Sequence, residues 1–212
     1  MAGNGSRWLS DPVAGIVTQH GKERVIGPVL QAGAGLSPFR VDGVDTDAFG
    51  TFSREIERRG SALDAARAKI RAGFDARPDA RILVASEGTF GPHPAVPLLA
   101  LGDELVLLAD RETGLEVWGR EIGPETNFAH RRVEDIETVL DFARHAGFPH
   151  HGLTVLGVRG ENPAPDLFLR KDVGDEMALV AATKEALART GAAFVETDMR
   201  AHRNPTRQQA IR

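Results

Sequence analysis

The chain contains no cysteine, only four lysines and no run of apolar residues long enough to cross a bilayer. The absence of cysteine excludes disulfides and thiolate metal sites, so a metal ion must be bound through carboxylate, imidazole or phosphate groups. Such ligands favour Mg²⁺ or Mn²⁺. Because arginine supplies most of the 26 basic residues, each lysine is a candidate for a role of its own. Two of the four, Lys22 and Lys69, fall in motifs.

Strong positive charge is also lacking, since the 212 residues carry a net charge of -4. A general nucleic-acid binder or a binder of anionic membranes would need a cationic surface, so composition disfavours both classes. Any basic site must therefore be local. The first residues show no secretory signal pattern, which makes the cytoplasm the expected location. With 42% hydrophobic residues the chain can form one substantial core, or two small lobes around a cleft.

Alternating apolar segments and amphipathic stretches predict an α/β fold: a mixed β-sheet flanked by helices, with a central cleft. We expect one domain over residues 13–212 after a flexible N-terminus at residues 1–12. The predicted strands are 13–18, 82–85, 104–110, 115–122, 153–158 and 192–195. The predicted helices are one that opens at 19–23, then 61–70, 133–146, 175–189 and one that starts at Pro205. The predicted loops include 37–60, 86–94 and 160–165.

The segment 196–207 is the most informative polar stretch, because it combines acids, arginines, a histidine and an amide directly after the apolar residues 192–195. Asn204 followed by Pro205 is typical of a helix N-cap and first helical position. The segment therefore lies between a strand end and a helix start, where backbone amides favour anions. A phosphate or carboxylate ligand is the expected partner.

Two further polar clusters, 18–23 and 85–94, also follow predicted strands. A common sheet edge would bring all three clusters into one cleft. In the first, Lys22 after Gly21 is suited to phosphate oxygens, although a helix start explains the same residues. In the second, Glu87 is placed to accept a metal ion or a water proton, and a turn carboxylate is the alternative.

A fourth motif puts Asp64 and Lys69 about a turn and a half apart on one predicted helix, after Ser61. Asp64 could bind a metal ion, but Ser61 and Asp64 also match a capping box. Lys69 could bind phosphate or lie on a solvated helix face. Capping is favoured for this helix taken alone.

The three clusters at 18–23, 85–94 and 196–207 resemble the signatures of an uncharacterised bacterial family of unknown function. That resemblance covers nearly the whole chain but implies no reaction. Members of the family often continue past the terminal helix into a cysteine-rich, zinc-ribbon-like tail, so the resemblance implies a chain truncated at Arg212, inside the expected helix.

More distantly, the order of motifs is similar to that of the pyrophosphatases that act on inosine or xanthosine triphosphate. Lys22 would match the lysine after their first strand, and Glu87 with Gly88 would match the acid and glycine of their central strand. His202 and Arg203 nearly match their base-recognition motif. Asp64 stands where that family has glutamate, which leaves the substrate open. The resemblance implies a fold like that of inosine triphosphatase.

We therefore expect a magnesium-dependent hydrolase, pyrophosphatase-like, of a nucleotide or related phosphorylated small molecule. The expected metal ligands and catalytic carboxylates are Glu87 and Asp64. The residues expected to contact the substrate are His20, Lys22, Lys69, Asp198, Arg200, His202, Arg203 and Arg207.

Two alternatives stay open. A non-catalytic sensor of small anions would use the same motifs without a metal ion, and a structural domain would bind no ligand. No membrane partner or general nucleic-acid partner is expected, and a homodimer is a candidate assembly.

Overall fold

A computed structural model of the protein describes residues 13–49, 60–93 and 95–212. The N-terminal segment 1–12, expected to be flexible, lies outside the described residues. The strands are β1 Val13–Val17, β2 Ser37–Val41, β3 Ile82–His93, β4 Val96–Asp110, β5 Leu115–Gly123, β6 His130–Val133, β7 Leu153–Arg159, β8 Asn162–Val173 and β9 Ala193–Thr197. The helices are α1 Glu23–Ala34, α2 Ala62–Ala76, α3 Ile136–His145, α4 Glu176–Thr190 and α5 Pro205–Ile211.

The first sheet has the strand order β2-β1-β3-β4-β5 and is mixed, as the sequence predicts. Strand β1 runs parallel to both β2 and β3, whereas β3, β4 and β5 form an antiparallel meander. The parallel connections pass through α1 and α2, because parallel neighbours need a crossover. Both helices therefore pack on this sheet, and the turn before α1 lies at the end of β1.

The two faces of the first sheet are covered by different helices. Odd-numbered residues of β3, such as Leu83, share a core with Ala66 and Ile70 of α2. Even-numbered ones, such as Val84, share a core with residues of α1 and with Ile211 of α5. This period of two decides where the next residues of β3 point, because successive side chains of a strand face opposite sides. Polar residues 86 and 87 must therefore face different helices.

The second sheet has the order β6-β9-β7-β8, and all its neighbouring strands are antiparallel. Helices α3 and α4 cover it with a core that includes Val139, Phe142 and Leu179. Strand β9 belongs to this second sheet, whereas α5 packs on the first. The segment 198–204 thus carries the chain from one sheet to the other.

Three strands form where the sequence predicts loops or helix. Strand β2 lies in the predicted loop 37–60, β8 begins in the predicted loop 160–165, and β6 precedes α3, which starts later than predicted. The predicted loop 86–94 is also wrong, since β3 continues to His93 in register with β4. Each of these segments is held by hydrogen bonds to a partner strand, which the residue pattern of the segment itself does not reveal.

Helix α2 continues past the predicted end at residue 70, passes through Gly73 and ends at Ala76. A Cβ at Gly73 would lie 2.6 Å from a Val17 methyl and 2.9 Å from a Leu83 methyl. This glycine therefore allows close packing of the helix on the sheet. Within the described residues, no helix combines the length and apolarity needed to span a membrane.

Candidate functional site

The turn between β1 and α1 presents three backbone amides that have no acceptor in the described part of the chain. Gly21 has φ +69°, in the left-handed region, and Lys22 follows in the right-handed helical region. Among the described residues, the amides of Gly21, Lys22 and Glu23 have no hydrogen-bond acceptor. Successive amides in such a turn form a concavity that binds anions, and the α1 N-terminus adds its partial positive charge.

The Lys22 side chain is buried, with 8% of its surface exposed. Its ammonium donates to the Ser86 hydroxyl at 2.8 Å and to the Ser86 carbonyl at 3.3 Å. No carboxylate oxygen within the described part of the chain lies close enough to form an ion pair with it. Burial, followed by the charges of Arg207 and Lys69, lowers the pKa of Lys22 to about 7.

Glu87 points to the opposite face of β3, as its odd number requires, and there forms an ion pair with Lys69 of α2. Both side chains are at most 10% exposed. The sequence predicts Glu87 at a strand end, but Glu87 lies in the middle of β3, opposite Leu105 of β4. Lys69 is buried, which excludes the solvated face considered as its alternative.

Arg207 of α5 forms a second buried ion pair, with Glu104 of β4, and both residues are at most 3% exposed. The guanidinium also donates to the Met199 carbonyl and lies 5.2 Å from the centre of the Phe90 ring. The Asn204 side chain caps α5 by accepting from the Arg207 amide at 3.0 Å, as predicted for an N-cap.

These pairs and Lys22 form one cluster of buried charge. The pKa of Lys22 responds to the charges of Arg207, Lys69, Glu104 and Glu87. Three cations thus share the interior with two carboxylates, so a charged Lys22 leaves a surplus positive charge. Buried charge without a partner is costly, and a bound anion would remove that cost. We call the region formed by residues 18–23, 86–87, Glu104 and 198–207 the junction.

Two histidines stack at the outer side of the junction. The ring centres of His20 and His202 are 5.3 Å apart, with 23° between the ring planes. His20 Nε2 is hydrogen-bonded to Asp47 at 2.8 Å, and His202 Nε2 to Asp172 at 3.2 Å. Burial lowers the pKa of His20 despite the opposing effect of Asp47. The clusters at 18–23 and 196–207 are therefore in direct contact.

The remaining charged residues of 198–203 are held by carboxylates. Asp198 is buried and binds the Arg200 side chain through both oxygens, at 3.0 and 2.5 Å. The Arg203 guanidinium donates to the Asp172 carbonyl at 2.7 Å. Asp172 itself has φ +60°, a conformation rare outside glycine, and sits between Arg200, His202 and Arg203. Although burial opposes it, hydrogen bonds and the charge of Arg200 lower the pKa of Asp172.

Residues 73–212 match the family described as a domain of unknown function, DUF6671. The chain belongs to this family. The match confirms the resemblance to an uncharacterised family, and no curated protein matches the chain. The DUF6671 region contains Glu87, Glu104 and the whole segment 198–207, whereas residues 18–23 and Lys69 precede it. The junction of this DUF6671 protein therefore joins residues from inside and outside the matched region.

Asp64 lies at the start of α2 and forms the predicted capping box. Its carboxylate accepts from the Ser61 amide at 3.0 Å, and the Ser61 hydroxyl accepts from the Asp64 amide at 3.1 Å. Asp64 is exposed, whereas Glu87 is buried against Lys69. Among the described residues of this DUF6671 protein, no group of three or more histidine, aspartate or glutamate side chains is arranged to hold a metal ion.

The sequence does not predict three residues that belong to the junction or contact it. Asp47 and Asp172 lie in segments without a distinctive pattern and meet the histidines only through the fold. The position of Glu104 could have been recognised from the sequence pattern. Glu104 shares a face of β4 with Val106 and Leu108, and these two residues pack against the core that contains α1. A carboxylate on the apolar face of a strand predicts a buried partner, here Arg207.

Proposed function

We propose that the protein binds a phosphorylated small molecule at the junction. The observation that carries the proposal is the buried Lys22 ammonium, which has no carboxylate partner among the described residues, beside the acceptor-free amides of residues 21–23. Amides at a helix start and a lysine are the donors that phosphate groups use in proteins. An anion there would complete the hydrogen bonds of both groups.

The charge of the cluster favours a phosphate over a neutral ligand. Burial and the charges of Arg207 and Lys69 lower the pKa of Lys22, and a bound anion would favour its charged form. Anion binding would be coupled to proton uptake near pH 7, because the ligand stabilises the ammonium. Arg200 and Arg203, held by Asp198 and the Asp172 carbonyl, lie on the same segment as His202 and are candidates for the distal part of the ligand.

Binding is tested by thermal melting with ATP, ITP, p-nitrophenyl phosphate and inorganic triphosphate, each with and without magnesium. A ligand at one hundred times its Kd stabilises the native state by about 2.7 kcal/mol, which is a measurable shift in Tm. We expect Lys22→Met to lose the shift. Lys184→Met, which removes an exposed lysine of α4, is the matched control and should keep it. If Lys22→Met melts with the same ligand shift as the wild type, the proposed site is wrong.

Magnesium-dependent hydrolysis of the bound compound is the second candidate function, favoured by the buried Glu87 carboxylate beside the cations of the junction. Mg²⁺ commonly uses one or two carboxylates together with substrate phosphates, so a preformed cage is not needed. Glu87 would bind the metal ion after releasing Lys69. Lys69 would then be free to contact a phosphate oxygen.

Release of phosphate or pyrophosphate from the same compounds tests hydrolysis. Glu87→Gln should abolish the magnesium-dependent release, whereas binding without any release by the wild type would indicate a sensor. The role of Asp64 is separated from its cap by two variants. Asp64→Ala and Ser61→Ala both break the capping box, so a loss of magnesium dependence in Asp64→Ala alone would identify Asp64 as a metal ligand.

A further inference from the structure

The stacked pair of His20 and His202 combines features of a proton-transfer site. Each ring is hydrogen-bonded through Nε2 to a carboxylate, Asp47 or Asp172. An ionised carboxylate only accepts hydrogen bonds, so Nε2 carries the proton in each of these contacts. Each neutral ring then has an unprotonated Nδ1. Within the described residues, neither Nδ1 atom has a hydrogen-bond partner.

The pair lies beside the proposed phosphate position. His20 precedes the amides of residues 21–23 directly, and the His202 Cβ is 3.9 Å from the point where a Cβ of Gly21 would lie. Carboxylates that orient imidazoles toward a reacting group are the arrangement by which histidines act as general bases and acids. The stacked pair therefore lies next to the amides at which a phosphate would bind.

The surroundings of the rings disfavour two charges at once. The charged and titratable groups that influence His20 are Asp47, His202 and Arg200, and those in contact with His202 are Asp172 and His20. Arg200 and Arg203 also bind Asp172, which spreads the negative charge of that carboxylate over three partners. Burial and the neighbouring positive charges lower the pKa of His20. These effects favour the neutral form of His20, and His202 is the more exposed of the two rings.

We propose that His20 and His202 are the general base and general acid of phosphoryl hydrolysis at the junction, with Asp47 and Asp172 as positioning residues. This inference rests on the proposed phosphate binding. His20 Nδ1 takes a proton from the attacking water, whose oxygen forms the new bond to phosphorus. The bond from phosphorus to the leaving oxygen breaks, and His202 Nδ1 donates its proton to that oxygen. Exchange with solvent then returns one proton from His20 and supplies one to His202.

The test measures phosphate or pyrophosphate release from ATP, ITP and p-nitrophenyl phosphate between pH 5 and pH 9. His20→Gln and His202→Gln should each lower kcat/KM by about 10²-fold or more, while the ligand-induced shift in Tm is retained. The wild-type pH profile should be bell-shaped. The acidic limb should disappear in His20→Gln and the alkaline limb in His202→Gln. His145→Gln, which removes an exposed histidine of α3, is the control and should behave like the wild type.

The positioning residues have their own readout. Asp47→Asn should move the acidic limb of the pH profile to lower pH, because it removes the negative charge that favours protonated His20. Two-bond ¹H–¹⁵N spectra of the unliganded protein should show both neutral rings protonated at Nε2. A neutral His20 ring protonated at Nδ1 instead of Nε2 would overturn the proposal, because the Nδ1 of the base must be free to accept a proton.

The outcomes separate this inference from the proposed binding function. A Tm shift without product release at any pH refutes the histidine pair and leaves phosphate binding standing. Release that is within twofold of the His145→Gln control in either histidine variant also refutes it. A loss of binding in the histidine variants makes the rings ligand contacts instead of proton carriers. Absence of any Tm shift in the wild type removes both proposals.

Discussion

The buried ion pair of Arg207 and Glu104 gives a quantitative test of how the junction is held together. The substitution is Arg207→Met, which removes the charge but retains an unbranched side chain of high helix propensity. It leaves the Glu104 carboxylate, whose residue is 3% exposed, without its main partner. It also removes the hydrogen bond to the Met199 carbonyl and the contact with the Phe90 ring.

Removal of one partner from a buried ion pair costs about 3–5 kcal/mol, because the remaining charge is uncompensated. Lys22 should reduce the loss. Arg207 is among the groups that lower the pKa of Lys22, so without it Lys22 becomes charged more readily and faces Glu104 as a replacement cation. We therefore expect the lower end of the range, about 3 kcal/mol. Domains of ordinary stability have about 5–15 kcal/mol in total, so this loss is large.

Urea unfolding followed by far-UV circular dichroism measures the change as a shift in midpoint at constant m-value. The double variant Arg207→Met/Glu104→Met should recover to within about 1 kcal/mol of the wild type, since neither charge is then buried alone. Arg67→Met is the matched control, because it breaks an exposed pair with Glu116 that solvent screens. A single variant as stable as this control, or a double variant worse than the single one, would refute the reasoning.

Two further predictions concern the same cluster. The pKa of Lys22 is lowered to about 7 in the folded state from 10.5 in the unfolded chain, so the unfolded chain binds more protons between these pH values. The free energy of unfolding of the wild type, measured with urea, should therefore rise relative to that of Lys22→Met as pH increases from 7 to 9.5. Parallel plots of the two free energies against pH would contradict this. A Cβ at Gly88 would lie 2.7 Å from both Arg207 Nη2 and Glu104 Oε1, so Gly88→Ala should lower the free energy of unfolding by about 1–3 kcal/mol. Gly91→Ala, at an open position in the same strand, is the control and should lower it clearly less.

Two helix starts were predicted well, because their signals lie within a few residues. The capping box of Ser61 and Asp64 and the Asn204-Pro205 start of α5 form as predicted. Gly35 and Gly191 end α1 and α4 in the left-handed conformation. Capping depends on hydrogen bonds between residues three apart, so the sequence alone specifies it.

Strands were predicted where apolar residues were dense and missed where they were not. The segment 82–85 is apolar, but its extension through Glu87 to His93 exists because β4 supplies a matching partner along its length. Strand β2 contains Pro38 and becomes a strand through its parallel pairing with β1. Such pairing depends on a partner strand outside the segment itself, and the period-2 pattern is weak where polar residues occupy one face.

The amino-acid sequence by itself determined the chemistry available at the junction: cations and carboxylates in polar clusters, no thiols, and two helix starts that favour anions. Only the tertiary structure decided the pairings. In the folded chain Lys69 pairs with Glu87, Arg207 pairs with Glu104, and Lys22 donates to Ser86. Ser86 and Glu87 contact different elements because successive side chains of β3 face opposite sides of the sheet. The tertiary structure also stacked His20 on His202, since the segment after β9 returns from the second sheet to the first. Local sequence encodes residue types and helix caps, whereas partners across a sheet are set by long-range packing.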